Sequence, residues 1–286
     1  MRIAVLIHGQ PRYLEQGAWW FKNRVFPDHF KRLNVDYYTC FWEDGNKNLA
    51  SRVQESYSPI KHSQHSYERW RDKIADEIGS YNKTNPLVNH ISPTIKSNVM
   101  FCDDHYSNYQ LNYWGQYMSC GLITQMVGDL TGQYDIVIRT RSDVAFNPMS
   151  EEMWLRAFHN MERNPVFHDK IMSDWLYVAG GRAFVGDFAF FSKPEVWYKF
   201  TKDMYKNCVK IATEDCLLWY DEKYNEDQHI SFPHKTWTNL SVLSKTNWLS
   251  FAVVWPTPYA STLIRQDGDI SRENFQSLVN QYHAQQ

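Results

Sequence analysis

The sequence predicts an α/β fold: a Rossmann-type mixed sheet flanked by helices, with a more irregular second half. Three observations point to it. The first strand-like run, Arg2 to Ile7 (RIAVLI), is apolar without alternation, the pattern of a strand covered on both faces in a parallel sheet. A strand, a helix and a second strand then follow within about forty residues, the opening of a doubly wound domain. Later, an apolar strand turns charged at its C-terminal end, where open α/β sheets meet their ligands.

Each element has its own signal. The first strand ends in a turn-like His8-Gly9-Gln10-Pro11-Arg12. Tyr13 to Leu33 reads as a helix with Leu14, Ala18, Phe21, Val25 and Phe26 apolar, and Pro27 ends or kinks it. Val35 to Trp42 is β-branched and aromatic, a second strand. From Glu43 to about Asp104 the chain is polar. One helix near Ser66 to Ile78 and a strand near Thr94 to Met100 are expected, with Asn and Pro marking loop between them. Tyr113 to Leu130 carries Tyr113, Tyr117, Cys120, Ile123, Thr124 and Val127 at helical steps, and Gly128 and Gly132 bracket its end. Tyr134 to Phe146 (YDIVIRTRSDVAF) is the charged-ended strand, and Ala183 to Ser192 another, interrupted by Gly186 and Asp187. Pro194 opens a helix to about Tyr205, and Thr213 caps one running to Tyr224. Ser271 to Tyr282, with Phe275, Leu278, Val279 and Tyr282 on one face, closes the chain as an amphipathic helix.

Composition sets limits on function. The 286 residues are 43% hydrophobic and 22% charged, which excludes a disordered or low-complexity chain. Thirty basic and thirty-two acidic side chains give a net charge of −2, against a general nucleic-acid binder. No apolar run approaches the roughly eighteen residues of a membrane helix, and Met1 to Ile7 is too short for a signal peptide. Cys40, Cys102, Cys120, Cys208 and Cys216 are scattered without a Cys-x-x-Cys pair, which fits a cytoplasmic chain without a disulfide framework. Asn82 and Asn239 begin chance glycosylation sequons. With no Gly/Ser linker and no repeat, one compact domain over residues 1–286 is expected. Aromatic side chains make up 16% of the chain. Their flat faces suit sugars and nucleobases, or simply fill a core.

Two strand ends carry candidate chemistry. In the first, Gly9 lets backbone approach a ligand and Arg12 offers a planar donor fork to phosphate; a tight turn has the same look. In the second, strand alternation places Arg139, Arg141 and Asp143 on one side. Such charges are costly at an apolar strand mouth unless they pair with one another or meet a ligand. Asp143 can hold a divalent cation that bridges two phosphates; the other reading is a structural Arg–Asp pair. Glu214 and Asp215 stand at a helix start, as a catalytic base or as simple caps. His229 and His234 are loop histidines, metal ligands or ordinary ones.

The strand with His8-Gly9-Gln10-Pro11-Arg12 resembles the start of a family of microbial and viral glycosyltransferases linked to lipopolysaccharide synthesis. The Gln116/Ser119 helix leading into Tyr134 to Asp143, and Gly186-Asp187 followed by Phe188 to Phe191, are also similar to that family. These three blocks are the extent of the match. The resemblance implies a GT-A-like fold, with about 1–147 binding a nucleotide-sugar donor and about 148–286 a glycan or lipid-linked acceptor. It implies donor contacts at His8, Gly9, Gln10, Arg12, Arg139 and Arg141. Asp143 would be the last residue of an Asp-x-Asp motif for Mn²⁺ or Mg²⁺, with His234 a further ligand. Arg141 stands where the first Asp belongs, so a guanidinium is the alternative source of positive charge. Asp187 is the first choice of base for an inverting transfer, Glu214 or Asp215 the second. A non-catalytic nucleotide- or carbohydrate-binding module with the same fold is the competing reading. A nucleotidyltransferase ranks last, because the first loop has a single glycine.

Overall fold

The computed structural model describes residues 1–25, 33–70, 72–73, 104–146, 158–173, 176–179, 182–185, 189–210, 237, 240–241, 243–250 and 261–263. Within them the expected helix-flanked mixed sheet of Rossmann type is present. Its strands are β1 (Arg2–Gly9), β2 (Asn34–Trp42), β3 (Lys61–His65), β4 (Ile136–Thr140), β6 (Lys170–Ser173), β9 (Ala189–Ser192) and β10 (Asn247–Ser250). Seven strands run in the order β10-β6-β9-β4-β1-β2-β3. All are parallel except β9, which pairs antiparallel with both β4 and β6. Two small antiparallel pairs stand apart: β5 (Val144–Phe146) with β11 (Ser261–Leu263), and β7 (Leu176–Ala179) with β8 (Arg182–Val185).

β1 is the centre. Its residues from Ile3 to Gly9 are all buried, because helices cover both faces of the sheet there. Ala4 and Leu6, with Tyr38, Val137 and Phe190, face α3 (Asp104–Val127), α4 (Pro194–Thr201) and α5 (Met204–Lys210). Ile3, Val5 and Ile7, with Phe41, Ile138 and Phe191, face α1 (Leu14–Trp20), α2 (Leu49–Tyr57) and Phe158. The period of two along each strand thus sorts side chains into two separate cores.

Several boundaries differ from those the sequence predicts. The first helix is shorter, Leu14–Trp20, and continues as a five-residue π-helical turn to Val25. The polar stretch after β2 contains α2 and β3, neither expected. The run from Tyr134 to Phe146 is not one strand. β4 ends at Thr140, the chain turns at Ser142 and Asp143, and β5 leaves for another sheet. Ser142 causes the departure: its hydroxyl is shared between the carbonyls of Gln10 and Arg12, both 3.0 Å away. Strand alternation therefore does not extend to Arg141 and Asp143. Likewise Ala183 to Ser192 divides into β8 and β9. The helix from Pro194 stops at Thr201, whose hydroxyl donates to the Trp197 carbonyl at 2.8 Å, and α5 then begins. The strand expected at 94–100 and the helices at 213–224 and 271–282 lie outside the described residues.

Candidate functional site

The strand order reverses between β1 and β4: β2 and β3 lie on one side of β1, β4 on the other. Such a switch point opens a crevice beyond the C-terminal strand ends, the usual ligand position in open α/β sheets. Gly9 ends β1 with φ +110, a conformation that side-chain-bearing residues rarely adopt. After it, Gln10 is half-buried and Arg12 exposed. The same crevice is bounded by Thr140 to Asp143.

The two loops are locked together. Besides the Ser142 hydroxyl bonds, α1 packs directly on the turn: a Cβ at Gly17 would lie 1.7 Å from the Ser142 carbonyl oxygen. Only glycine admits that approach. Arg12 and Arg141 are thus held at one end of the sheet by backbone contacts.

Beneath this surface lies a buried polar chain. His8 and Arg139 are both fully buried, on the face covered by α3. Arg139 Nε–H donates to His8 Nε2 at 2.7 Å, so that nitrogen is an acceptor. The proton therefore sits on His8 Nδ1, which donates to Ser119 Oγ at 2.8 Å, and the Ser119 hydroxyl donates to the Gln116 carbonyl at 3.0 Å. The imidazole is neutral by this geometry. Burial first, then the charges of Arg139 and Arg141, hold its pKa well below the usual value. The Arg139 guanidinium lies over both Phe190 and Trp237, 4.9 and 5.0 Å from the ring centroids, which are themselves 5.0 Å apart, a cation–π contact on both. His8 and Arg139 thus belong to the core beneath the strand ends rather than to an exposed wall.

Asp143 behaves differently from a free metal ligand. It is 6% exposed, and its two oxygens accept from Arg141 Nε at 2.8 Å and from an Arg141 terminal nitrogen at 2.7 Å. This is a bidentate pair. Mn²⁺ and Mg²⁺ want several oxygen ligands. Among the described residues no group of three or more His, Cys, Asp or Glu side chains could hold a metal ion. Among the described residues the donor set around Asp143 does not fit a divalent cation. The buried thiols offer none either: burial pushes Cys40 up to about 11 and Cys120 up to about 12.

Of the residues singled out from the sequence, His8, Gly9, Gln10, Arg12, Arg139, Arg141 and Asp143 converge on the β1/β4 switch point. Asp187, Glu214, Asp215, His229 and His234 lie outside the described residues. Sequence reasoning missed Trp237 and Phe190 as the rings around Arg139, and gave Ser119 no role of its own. Phe190 had a signal, since it stands opposite Arg139 in the β4/β9 register. A second polar group, Thr39 Oγ1 against His62 Nδ1 at 2.8 Å and Gln64 against His62 Nε2 at 3.0 Å, was also missed.

No protein-family model and no curated protein matches the chain. The solved structures to which the chain is similar include the apo form of mouse xyloside xylosyltransferase 1. It is 9% identical over 87% of this chain and 85% of that one, with a TM-score of 0.43. An active-site mutant of LgtC is 11% identical over 98% and 96% of the two chains, with a TM-score of 0.40. At this level neither likeness assigns an activity or a ligand to this chain. No helix among the described residues is long and apolar enough to cross a membrane.

Proposed function

We propose that the chain is a GT-A-like glycosyltransferase that moves a sugar from a nucleotide-sugar donor to a hydroxyl of a glycan or lipid-linked acceptor. The observation that carries it is the convergence of Arg12, Arg141 and the Gly9 loop on the β1/β4 switch point. The donor's pyrophosphate lies across that crevice, where exposed guanidinium and backbone N–H groups meet it. Residues 1–147 bind the donor and 148–286 the acceptor, although β6, β9 and β10 of the second half complete the same sheet.

In the transfer, the acceptor oxygen bonds to the anomeric carbon as the carbon–oxygen bond to the diphosphate breaks. The acceptor's proton passes to a carboxylate, Asp187 first and Glu214 or Asp215 second. Charge grows on the departing diphosphate, and Arg12 and Arg141 offset it. Cleavage of nucleotide-sugars tests this. A panel of UDP- and GDP-sugars, with and without simple glycan acceptors, is expected to yield nucleoside diphosphate from at least one donor.

The engagement of Asp143 by Arg141 favours a second reading, a non-catalytic nucleotide- or carbohydrate-binding module. Tight nucleotide binding with no release from any donor would select it.

A further inference from the structure

We propose that the donor end of this sheet works without a divalent cation: Arg141, held by Asp143, fills with its guanidinium the role a metal would play, and Arg12 adds a second charge. This rests on the nucleotide-sugar reading above.

Asp143 is the carboxylate that the metal reading needs. Both its oxygens already accept N–H groups at 2.8 and 2.7 Å, in a pair whose acidic side chain is 8% exposed. A cation entering there would have to expel a fixed, planar guanidinium and find its remaining ligands elsewhere, and the described residues offer no cluster of them. The pair makes better sense with the roles exchanged. A carboxylate that grips two of the five N–H groups of an arginine fixes the plane of its fork. An arginine so fixed loses little freedom when an oxyanion arrives.

Arg141 is also the more exposed partner, with 21% of its side chain exposed against 8% for Asp143. The basic group is therefore the more accessible of the two, the reverse of what cation capture requires. Arg12 is exposed, and its carbonyl accepts from the hydroxyl of Ser142, the residue after Arg141, at 3.0 Å. The Gly17 contact on Ser142 keeps that spacing rigid. Asp143 is in this account a positioning residue, and Arg141 the one that touches the donor.

The test is calorimetric titration of the full chain with UDP and with GDP, first in excess EDTA and then in MnCl₂ or MgCl₂. The expected result is binding of one nucleotide with affinities that agree within about twofold across the three conditions. In EDTA, Arg141→Gln and Arg12→Gln are each expected to weaken it about tenfold or more. Asp143→Asn is expected to weaken it by a smaller factor, equally with and without Mn²⁺. Circular dichroism checks that each variant folds. If Arg141→Gln does not fold, Arg141→Lys keeps the charge without the fork, and an intermediate loss is expected. Binding tightened about tenfold or more by Mn²⁺, with the gain abolished by Asp143→Asn, overturns the inference and leaves the nucleotide-sugar reading standing. Cation-independent binding that survives Arg141→Gln and Arg141→Lys unchanged also overturns it. Failure of both nucleotides to bind in every condition overturns the nucleotide-sugar reading itself.

Discussion

His8 shows how a single side chain is set by its surroundings. It receives a hydrogen bond from Arg139 at Nε2 and gives one from Nδ1 to Ser119, an arrangement open only to the neutral ring. In the unfolded chain the same ring titrates near 6.5, so in the window from there down to its depressed folded value the unfolded state binds more protons. Stability from this group is present in full above that window and is lost as pH falls through it. His62 and His65, also lowered by burial, act in the same direction, while the lowered carboxylates of Glu15, Asp129 and Asp169 act only at more acid pH. Thermal melts between pH 7.5 and 5 are therefore expected to show a falling midpoint. His8→Gln, which removes the titration, is expected to flatten that fall. An equally steep pH dependence in the variant would contradict the tautomer described. Ser119→Ala leaves the buried Nδ1–H unsatisfied, and a loss of about 1–3 kcal/mol in denaturant titrations is expected.

Elements meet at this site through contacts that only small or flat groups permit. α1 reaches the β4 turn because position 17 has no Cβ, and Gly17→Ala is expected to cost about 1–3 kcal/mol by overpacking, read as a lower denaturation midpoint. It should also weaken nucleotide binding, since the same contact spaces Arg12 from Arg141. Trp237 stacks on Arg139 and meets Tyr117, Phe190 and Phe200 edge-on or tilted, with ring centroids 4.7, 5.0 and 5.9 Å away. Trp237→Ala is expected to cost about 3–5 kcal/mol in the same measurement. How legible these elements are from the sequence follows from what holds them. β1, β2 and the start of β4 announce themselves, because burial on two faces demands unbroken apolar or aromatic runs. β3 (KHSQH) does not: it is an edge strand kept in place by backbone bonds to β2, and its polar side chains carry no period. α2 did leave a trace, Leu49, Val53 and Tyr57 at four-residue steps on its buried side. The turn at Ser142 left none, since the residues that make it necessary, Gln10 and Arg12, are some 130 positions away.

For the whole molecule, the crevice is a product of topology. Parallel strands on both sides of β1 put Gly9 and Thr140 at one edge, and the residues that follow them were identifiable in the sequence because charge directly after a buried run is costly without a partner. What periodicity could not supply was direction. It set Arg139, Arg141 and Asp143 on one side, whereas the fold sends Arg139 into the core beneath α3 and closes Arg141 on Asp143. The central claim, that this crevice receives the pyrophosphate of an activated sugar, is tested most directly by a crystal structure of the chain soaked with UDP or GDP in the presence of EDTA. Phosphate density within hydrogen-bond reach of Arg12 and Arg141, beyond the ends of β1 and β4, is the predicted result. Nucleotide bound at any other place, with those two guanidiniums left untouched, would contradict it.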